Sequence, residues 1–261
     1  MMDDLELIHE ALQRAITAIS SFVPGAVKAD QKPLGRGPIT EADRTADRVL
    51  REVLLREGEG WLSEESTDDL ARLDRQRVWV VDPLDGTLEF VAGIPEWCVS
   101  VALVEDGKVV AGGISNPSTG EMFLGSIAGG LTYNGKRTHA SALTKLEGAV
   151  VLASRSEVKR GEWEPFRDAP VEIRPMGSVA YKLALVAAGL ADATWTLTPK
   201  HEWDVAAGVA LVKAGGGFVE CLDESPPSFN EPSPRLSGLI AGGPALREQI
   251  RGLINSVAGR S

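Results

Sequence analysis

The run Val78-Trp79-Val80-Val81-Asp82-Pro83-Leu84-Asp85-Gly86-Thr87 constrains the fold of this chain more than any other stretch. Its apolar, mostly β-branched start reads as the buried end of a strand, and that strand delivers two carboxylates to one sharp turn. Pro83 fixes its own φ, so Asp82 and Asp85 can converge with the Leu84 carbonyl between them. Oxygen donors of this kind suit a hard divalent cation such as Mg²⁺. Gly86 admits an anion close to the backbone, and Thr87 adds a hydroxyl beside the N–H groups of whatever helix follows. Taken alone, the stretch also reads as an ordinary Asp-rich turn.

Two more segments supply carboxylates. Trp61-Leu62-Ser63-Glu64-Glu65-Ser66 places a pair after a short apolar run, and His201-Glu202-Trp203-Asp204-Val205-Ala206-Ala207-Gly208 places another at the expected start of a helix. Together with Asp82 to Thr87, these segments resemble the signatures of the inositol monophosphatase superfamily of Mg²⁺-dependent, lithium-sensitive phosphomonoesterases. The resemblance extends from about Gly37 to Gly242.

That resemblance implies a metal site and a division of labour. Glu64, Asp82 and the Leu84 carbonyl would hold one Mg²⁺, Asp82, Asp85 and Asp204 a second, and Glu64 would support a third, with lithium as an inhibitor. Asp43, Thr87 and Glu64 would be catalytic: Thr87 positions the attacking water and Asp43 accepts a hydrogen bond from Thr87. The N–H groups of Gly86 and Thr87, with a helix start near Val205 to Ala207, would hold the phosphate. Asp43 has a plainer reading as an acid in a helix's first turn, and Glu65 as a solvated neighbour of Asp68 and Asp69. Lys32 matches in spacing a loop lysine of the family and equally fits a surface lysine.

The substrate is less constrained. Gly86-Thr87-Leu88-Glu89-Phe90, Ala153-Ser154-Arg155-Ser156, Gly177-Ser178 with Lys182, and Thr198 to Asp204 resemble the 3'(2'),5'-bisphosphate nucleotidase branch, the CysQ type. Leu197 stands where inositol monophosphatases carry a glutamate for ring hydroxyls, and an apolar side chain cannot accept those bonds. The expectation is therefore removal of the 3'-phosphate of adenosine 3',5'-bisphosphate to give AMP, with Gly86, Thr87, Glu89, Gly177, Ser178, Lys182 and His201 at the substrate. Pro95 to Ser100, Gly113 to Pro117, and Glu157 where nucleotidases often have His point the other way. Inositol-1-monophosphatase, sugar bisphosphatase and histidinol-phosphate phosphatase stay open as alternatives, with a non-catalytic interaction protein more distant.

Charge and cysteine usage set the partners. With 37 acidic against 27 basic residues, a net charge of −10 and no lysine-arginine cluster, neither nucleic acid nor an anionic membrane is an expected partner. A small phosphate ester approached through cations is. Two cysteines without Cys-x-x-Cys spacing, an acidic N-terminus and no run of 18 apolar residues fit a cytoplasmic protein. A homodimer is an expectation from the family alone.

Periodicity predicts amphipathic helices over Leu5–Val23 and from Thr40 to Arg56, the second opened by the capping pattern Thr40-Glu41-Ala42-Asp43. Between them, Gly25 to Pro38 reads as a surface loop or hairpin. Glu105-Asp106-Gly107-Lys108 turns one strand pair, and strands are expected at Glu121–Ser126, Gly130–Tyr133, Ala149–Ala153, Ala193–Leu197, Phe218–Cys221 and Leu239–Ala241. Helices are expected over Ser178–Leu190 and Val205–Ala214, and Gly215-Gly216-Gly217 reads as a helix stop. The resemblance implies a layered αβαβα sandwich of the inositol monophosphatase/fructose-1,6-bisphosphatase type. In it an α+β half over residues 1–145 carries most metal ligands, and an α/β half over 146–261 carries the last ligand and the specificity segments.

Overall fold

The computed structural model describes residues 3–31 and 37–258. The chain opens with α1 (Asp4–Ile19), a hairpin of β1 (Ala29–Gln31) and β2 (Pro38–Thr40), and α2 (Glu41–Leu54). Next come β3 (Gly60–Ser63), β4 (Arg77–Asp85), the short α3 (Thr87–Ala92), β5 (Cys98–Glu105), β6 (Lys108–Asn116), β7 (Glu121–Ser126), β8 (Gly130–Tyr133) and β9 (Lys136–Thr138). The rest comprises β10 (Ala149–Ser154), α4 (Arg155–Lys159), β11 (Val171–Met176), α5 (Val179–Ala187), β12 (Ala193–Thr196), β13 (Lys200–His201), α6 (Glu202–Ala214), β14 (Phe218–Cys221), β15 (Arg235–Leu236), β16 (Leu239–Gly242) and α7 (Arg247–Ala258).

Strands β3 to β9 form a seven-stranded sheet in sequence order, with only β3 and β4 parallel. A second, five-stranded sheet runs β11-β10-β12-β16-β14. Alternation along the strands explains why both faces of the first sheet are covered. Trp79, Val81, Val99, Val101 and Leu103 point to one side and pack with Ile8, Leu12, Ala46 and Leu50 of α1 and α2. Val78, Val80, Cys98, Ala102 and Val104 point to the other and join Leu183, Val205, Val209 and Val212 of α5 and α6. Trp195 and Ile240, from the far side of the second sheet, pack with Trp163, Phe166, Leu246 and Ile250 beneath α7. The order is thus helix, sheet, helix, sheet, helix, the layered sandwich expected.

Two glycines show how tightly the inner layers close. A Cβ on Gly112 would lie 2.9 Å from the Ala207 carbonyl of α6, and one on Gly113 would lie 2.5 Å from the Ile8 side chain of α1. Adjacent residues of β6 thereby let a helix approach from each face.

Several boundaries differ from expectation. α1 stops at Ile19 rather than Val23, because the Ser20 hydroxyl turns back onto the Thr17 carbonyl at 2.8 Å and closes the helix. α2 ends at Leu54, with Leu55 extended, and α5 spans Val179–Ala187 behind its N-cap Ser178. β9, β11 and α7 carry too weak a pattern to be read from the sequence: β11 has exposed or half-buried residues throughout, and α7 buries one narrow stripe. Among the described residues, no helix is long and apolar enough to cross a membrane.

Candidate active site

The end of β4 is bent by a bulge. Asp82 pairs with Ser100 and Asp85 with Cys98, so two residues on β4 stand opposite one on β5. Pro83, which has no N–H for a ladder bond, occupies the irregularity. The Leu84 N–H donates to Asp82 Oδ1 at 3.1 Å, closing the turn around the first carboxylate. Gly86 then adopts φ +98°, and a Cβ there would sit 2.8 Å from the Glu96 carbonyl, so both conformation and space demand glycine.

Thr87 and Asp43 meet below this turn. Thr87 Oγ1 lies 3.2 Å from both Asp43 Oδ1 and the Leu84 carbonyl. One hydroxyl proton serves one acceptor at a time, and the carboxylate is the stronger, which leaves the Leu84 oxygen for another partner. Asp43, fully buried, is also the N3 residue of the α2 capping box: its Oδ2 accepts from the Thr40 N–H at 2.8 Å and from the Thr40 hydroxyl at 2.5 Å. The plainer reading of Asp43 as a helix-start acid and its contact with Thr87 are therefore both present in one side chain.

The remaining carboxylates arrive from neighbouring elements. Parallel pairing of β3 with β4 sets Glu64 beside Asp82, and Asp47 of α2 pins this segment by accepting from Ser63 at 2.6 Å and Ser66 at 2.9 Å. From the second sheet's side, the Ser178 hydroxyl and the Ala180 N–H both donate to Asp85 Oδ2 at 2.6 Å. α6 begins at Glu202, three residues before the expected start, because Asp204 Oδ2 accepts from the His201 N–H at 2.9 Å and so adds a turn. The N–H groups of Val205 to Ala207 accordingly lie beyond the opening of the helix.

Glu64, Asp82, Asp85 and Asp204 line one cavity of about 230 Å³. Burial, then the charges of Asp85 and Glu64, push the Asp204 carboxyl up to about 8, and burial raises Asp85 as well. Among the described residues, no three His, Cys, Asp or Glu side chains already stand as a finished cage. The donor set nevertheless fits a hard divalent cation: it is all oxygen, and mutual repulsion within it is what positive charge would relieve.

Three cations, Arg155, Lys182 and Lys200, line the same cavity, and the charges of Lys182 and Lys200 reach Asp85. Arg155 is held by Glu96 at 2.5 Å and lies 3.8 Å from Glu89, while Glu96 also accepts from the Gly177 N–H at 2.7 Å. Glu89 packs so closely on Gly177 that a Cβ there would fall 2.3 Å from its carboxyl carbon. Lys182 is buried, with its ammonium on the carbonyls of Ser178 (3.1 Å) and Met176 (3.3 Å). Burial lowers its pKa to about 8 against the opposing pull of Asp85.

Of the residues singled out in the sequence, Glu64, Asp82, Leu84, Asp85, Gly86, Thr87, Glu89, Gly177, Ser178, Lys182 and Asp204 line this cavity, and Asp43 supports it from behind. His201 does not. Its ring stacks on Trp203 at 4.4 Å and lines an adjoining cleft that shares Glu64 with the cavity, because the backbone of His201 is committed to capping α6. Lys32 lies outside the described residues. Arg155 and Lys200 join the site from segments whose motifs point to a substrate without marking these two side chains, and Glu157, fully buried, stands out in the sequence only as a departure from a pattern.

Residues 3–257 match the inositol monophosphatase family. An inositol-1-monophosphatase of Mesorhizobium japonicum is 38% identical over 200 residues, 72% of this chain and 74% of that protein. A Nus factor SuhB of Xylella fastidiosa is 32% identical over 213 residues, 78% of this chain and 76% of that protein. The crystal structure of CysQ from Bacteroides thetaiotaomicron superposes with a TM-score of 0.77 at 26% identity, covering 94% of this chain and 98% of that one.

Proposed function

This chain belongs to the inositol monophosphatase family, and from that premise we propose that it is a Mg²⁺-dependent phosphomonoesterase acting on a small phosphorylated metabolite. The observation that carries this reading is the convergence of Glu64, Asp82, Asp85 and Asp204 on one cavity with the Asp43–Thr87 pair behind it. Those carboxylates and the Leu84 carbonyl would hold a divalent cation, which would supply charge neutralisation for the phosphoryl oxygens and acidity for the attacking water. Two or three ions belong to this reading, with lithium as inhibitor.

The chain's own groups do the rest. Thr87 Oγ1 accepts a hydrogen bond from the attacking water while donating to Asp43, so the water's lone pair faces the phosphorus. Two donors from Thr40 hold the Asp43 carboxylate in place for this task. The N–H groups of Gly86 and Thr87 hold the phosphoryl group, and Ser178 orients Asp85. Residues 1–145 and 146–261 act in this reading as two halves that share the site at their seam.

Adenosine 3',5'-bisphosphate is the first candidate substrate, yielding AMP and phosphate. Leu88, Met176 and Val179 at the cavity give an apolar lip for a base, and Leu197 offers no acceptor to ring hydroxyls. Inositol 1-phosphate is the second reading, favoured by the relative named inositol-1-monophosphatase. Phosphate release from both, and from fructose 1,6-bisphosphate, with Mg²⁺ and then with lithium, tests class and substrate together. Absence of Mg²⁺-dependent release from every ester would sink the proposal.

A further inference from the structure

Lys200 stands in the cavity with no task in the reaction just described. Its side chain is only 14% exposed, and its ammonium is fixed by Thr198 Oγ1 at 2.8 Å and Glu157 Oε1 at 3.5 Å. An ammonium has three N–H donors, so one is left for a ligand in the cavity it lines. Lys182, on the carbonyls of Met176 and Ser178, and Arg155, on Glu96, line the same cavity without such a clamp of their own.

Glu157 makes this placement rigid. It is wholly buried, and its Oε1 accepts from the hydroxyls of Thr196 (2.8 Å) and Thr198 (2.9 Å) and the N–H groups of Leu197 (3.2 Å) and Thr198 (3.3 Å). Its other oxygen accepts from Trp163 Nε1 at 3.1 Å. A single carboxylate therefore ties the whole segment from Thr196 to Lys200 to the start of α4. A lysine held this way has little rotamer freedom left to lose when an anion binds.

We propose that Lys200 is a specificity residue that binds a second phosphate group of the substrate, one that is not hydrolysed, and that Glu157 is its positioning residue. The proposal rests on the phosphomonoesterase reading and deepens it: it commits the substrate to a class carrying two phosphates. The phosphate under attack would sit at the cation site of the carboxylates, and Lys200, which lines the same cavity, meets the second phosphate.

The test is a matched pair, adenosine 3',5'-bisphosphate and adenosine 3'-monophosphate, which differ only in the second phosphate, assayed with Mg²⁺. Wild-type protein is expected to prefer the bisphosphate. Lys200→Met is expected to lower that preference, as a ratio of kcat/KM values, by about 10–100-fold, the worth of one charge-assisted hydrogen bond, with the change carried by KM. Lys200→Arg should restore part of it, and Glu157→Gln should reduce it by about 5–10-fold through loss of the fixed charge. If Glu157→Gln does not fold, the Lys200 pair decides alone. An unchanged ratio in Lys200→Met, or a wild type indifferent to the second phosphate, overturns the inference and leaves the phosphatase reading standing. No Mg²⁺-dependent release from any ester overturns both.

Discussion

Two sets of carboxylates in this protein, one buried and one half-buried in the cavity, differ in their company. Glu157 and Glu220 are 0% and 2% exposed, and each is surrounded by donors and cations. At Glu220, burial alone would raise the carboxyl, yet ion pairs with Arg251 and Arg247 of α7 outweigh it and hold the pKa below its ordinary value. Glu157 behaves likewise, with burial opposed by the Thr196 hydroxyl and then Lys200. In the cavity, burial raises Asp85 in spite of its donors Ser178 and Ala180, and burial together with the charges of Asp85 and Glu64 raises Asp204. A buried acid paired with cations is an anchor, whereas several acids converging on one cavity hold a deficit of positive charge that a ligand can fill.

Removing a cavity acid should break this comparison most visibly. Asp85→Asn is expected to lower kcat/KM by about 10³-fold or more while leaving the Tm of the metal-free protein unchanged or higher, since it relieves repulsion. Thermal melts with and without Mg²⁺, run beside phosphate-release assays, check both halves: a variant with near-normal turnover contradicts the metal role. Glu220→Gln should do the reverse. It removes the charge that pairs with two partly solvated arginines, so a loss of about 1–2 kcal/mol in denaturant unfolding is expected, with activity per folded molecule retained.

Smaller effects sharpen the same contrast. Thr87→Ala should cost about 10²-fold in kcat with little change in KM, because the hydroxyl orients water rather than substrate. Equal losses in binding and turnover would instead mean a structural role for Thr87. The pH dependence should be smallest. Asp204 has a folded-state pKa of about 8 against an ordinary 3.8, so without cation its contribution favours the folded chain in acid and is lost as pH rises from about 4 towards 8. Glu220 is lowered, so its contribution is present above about pH 4.5 and lost as pH falls. The metal-free protein should therefore lose about 2–4 °C in Tm between pH 6 and pH 8, and Asp204→Asn should reduce that loss.

Much of the fold and of the site is legible in the chain itself. The bulge at Pro83, the glycine at Gly86 and the capping box at Thr40 are local chemistry, written in consecutive residues and independent of distant packing. The same holds for which residues supply oxygen donors. Less local features are not legible in this way: α6 starts at Glu202 because a side chain three residues on caps it, and β11 and α7 have no strong period because neighbours cover them only in part.

By itself, then, the sequence determined the strand that ends in two aspartates, the acidic donor set and the sandwich that carries them. Only the tertiary structure decided which charges face the cavity. Residue identity does not say whether a carboxylate meets an arginine or another carboxylate, since that depends on segments as far apart as Asp85 and Asp204, or Glu220 and Arg251. For the same reason, Glu157 reads in the chain only as a substitution in a motif. Its fully buried place under Lys200 gives it a physical role.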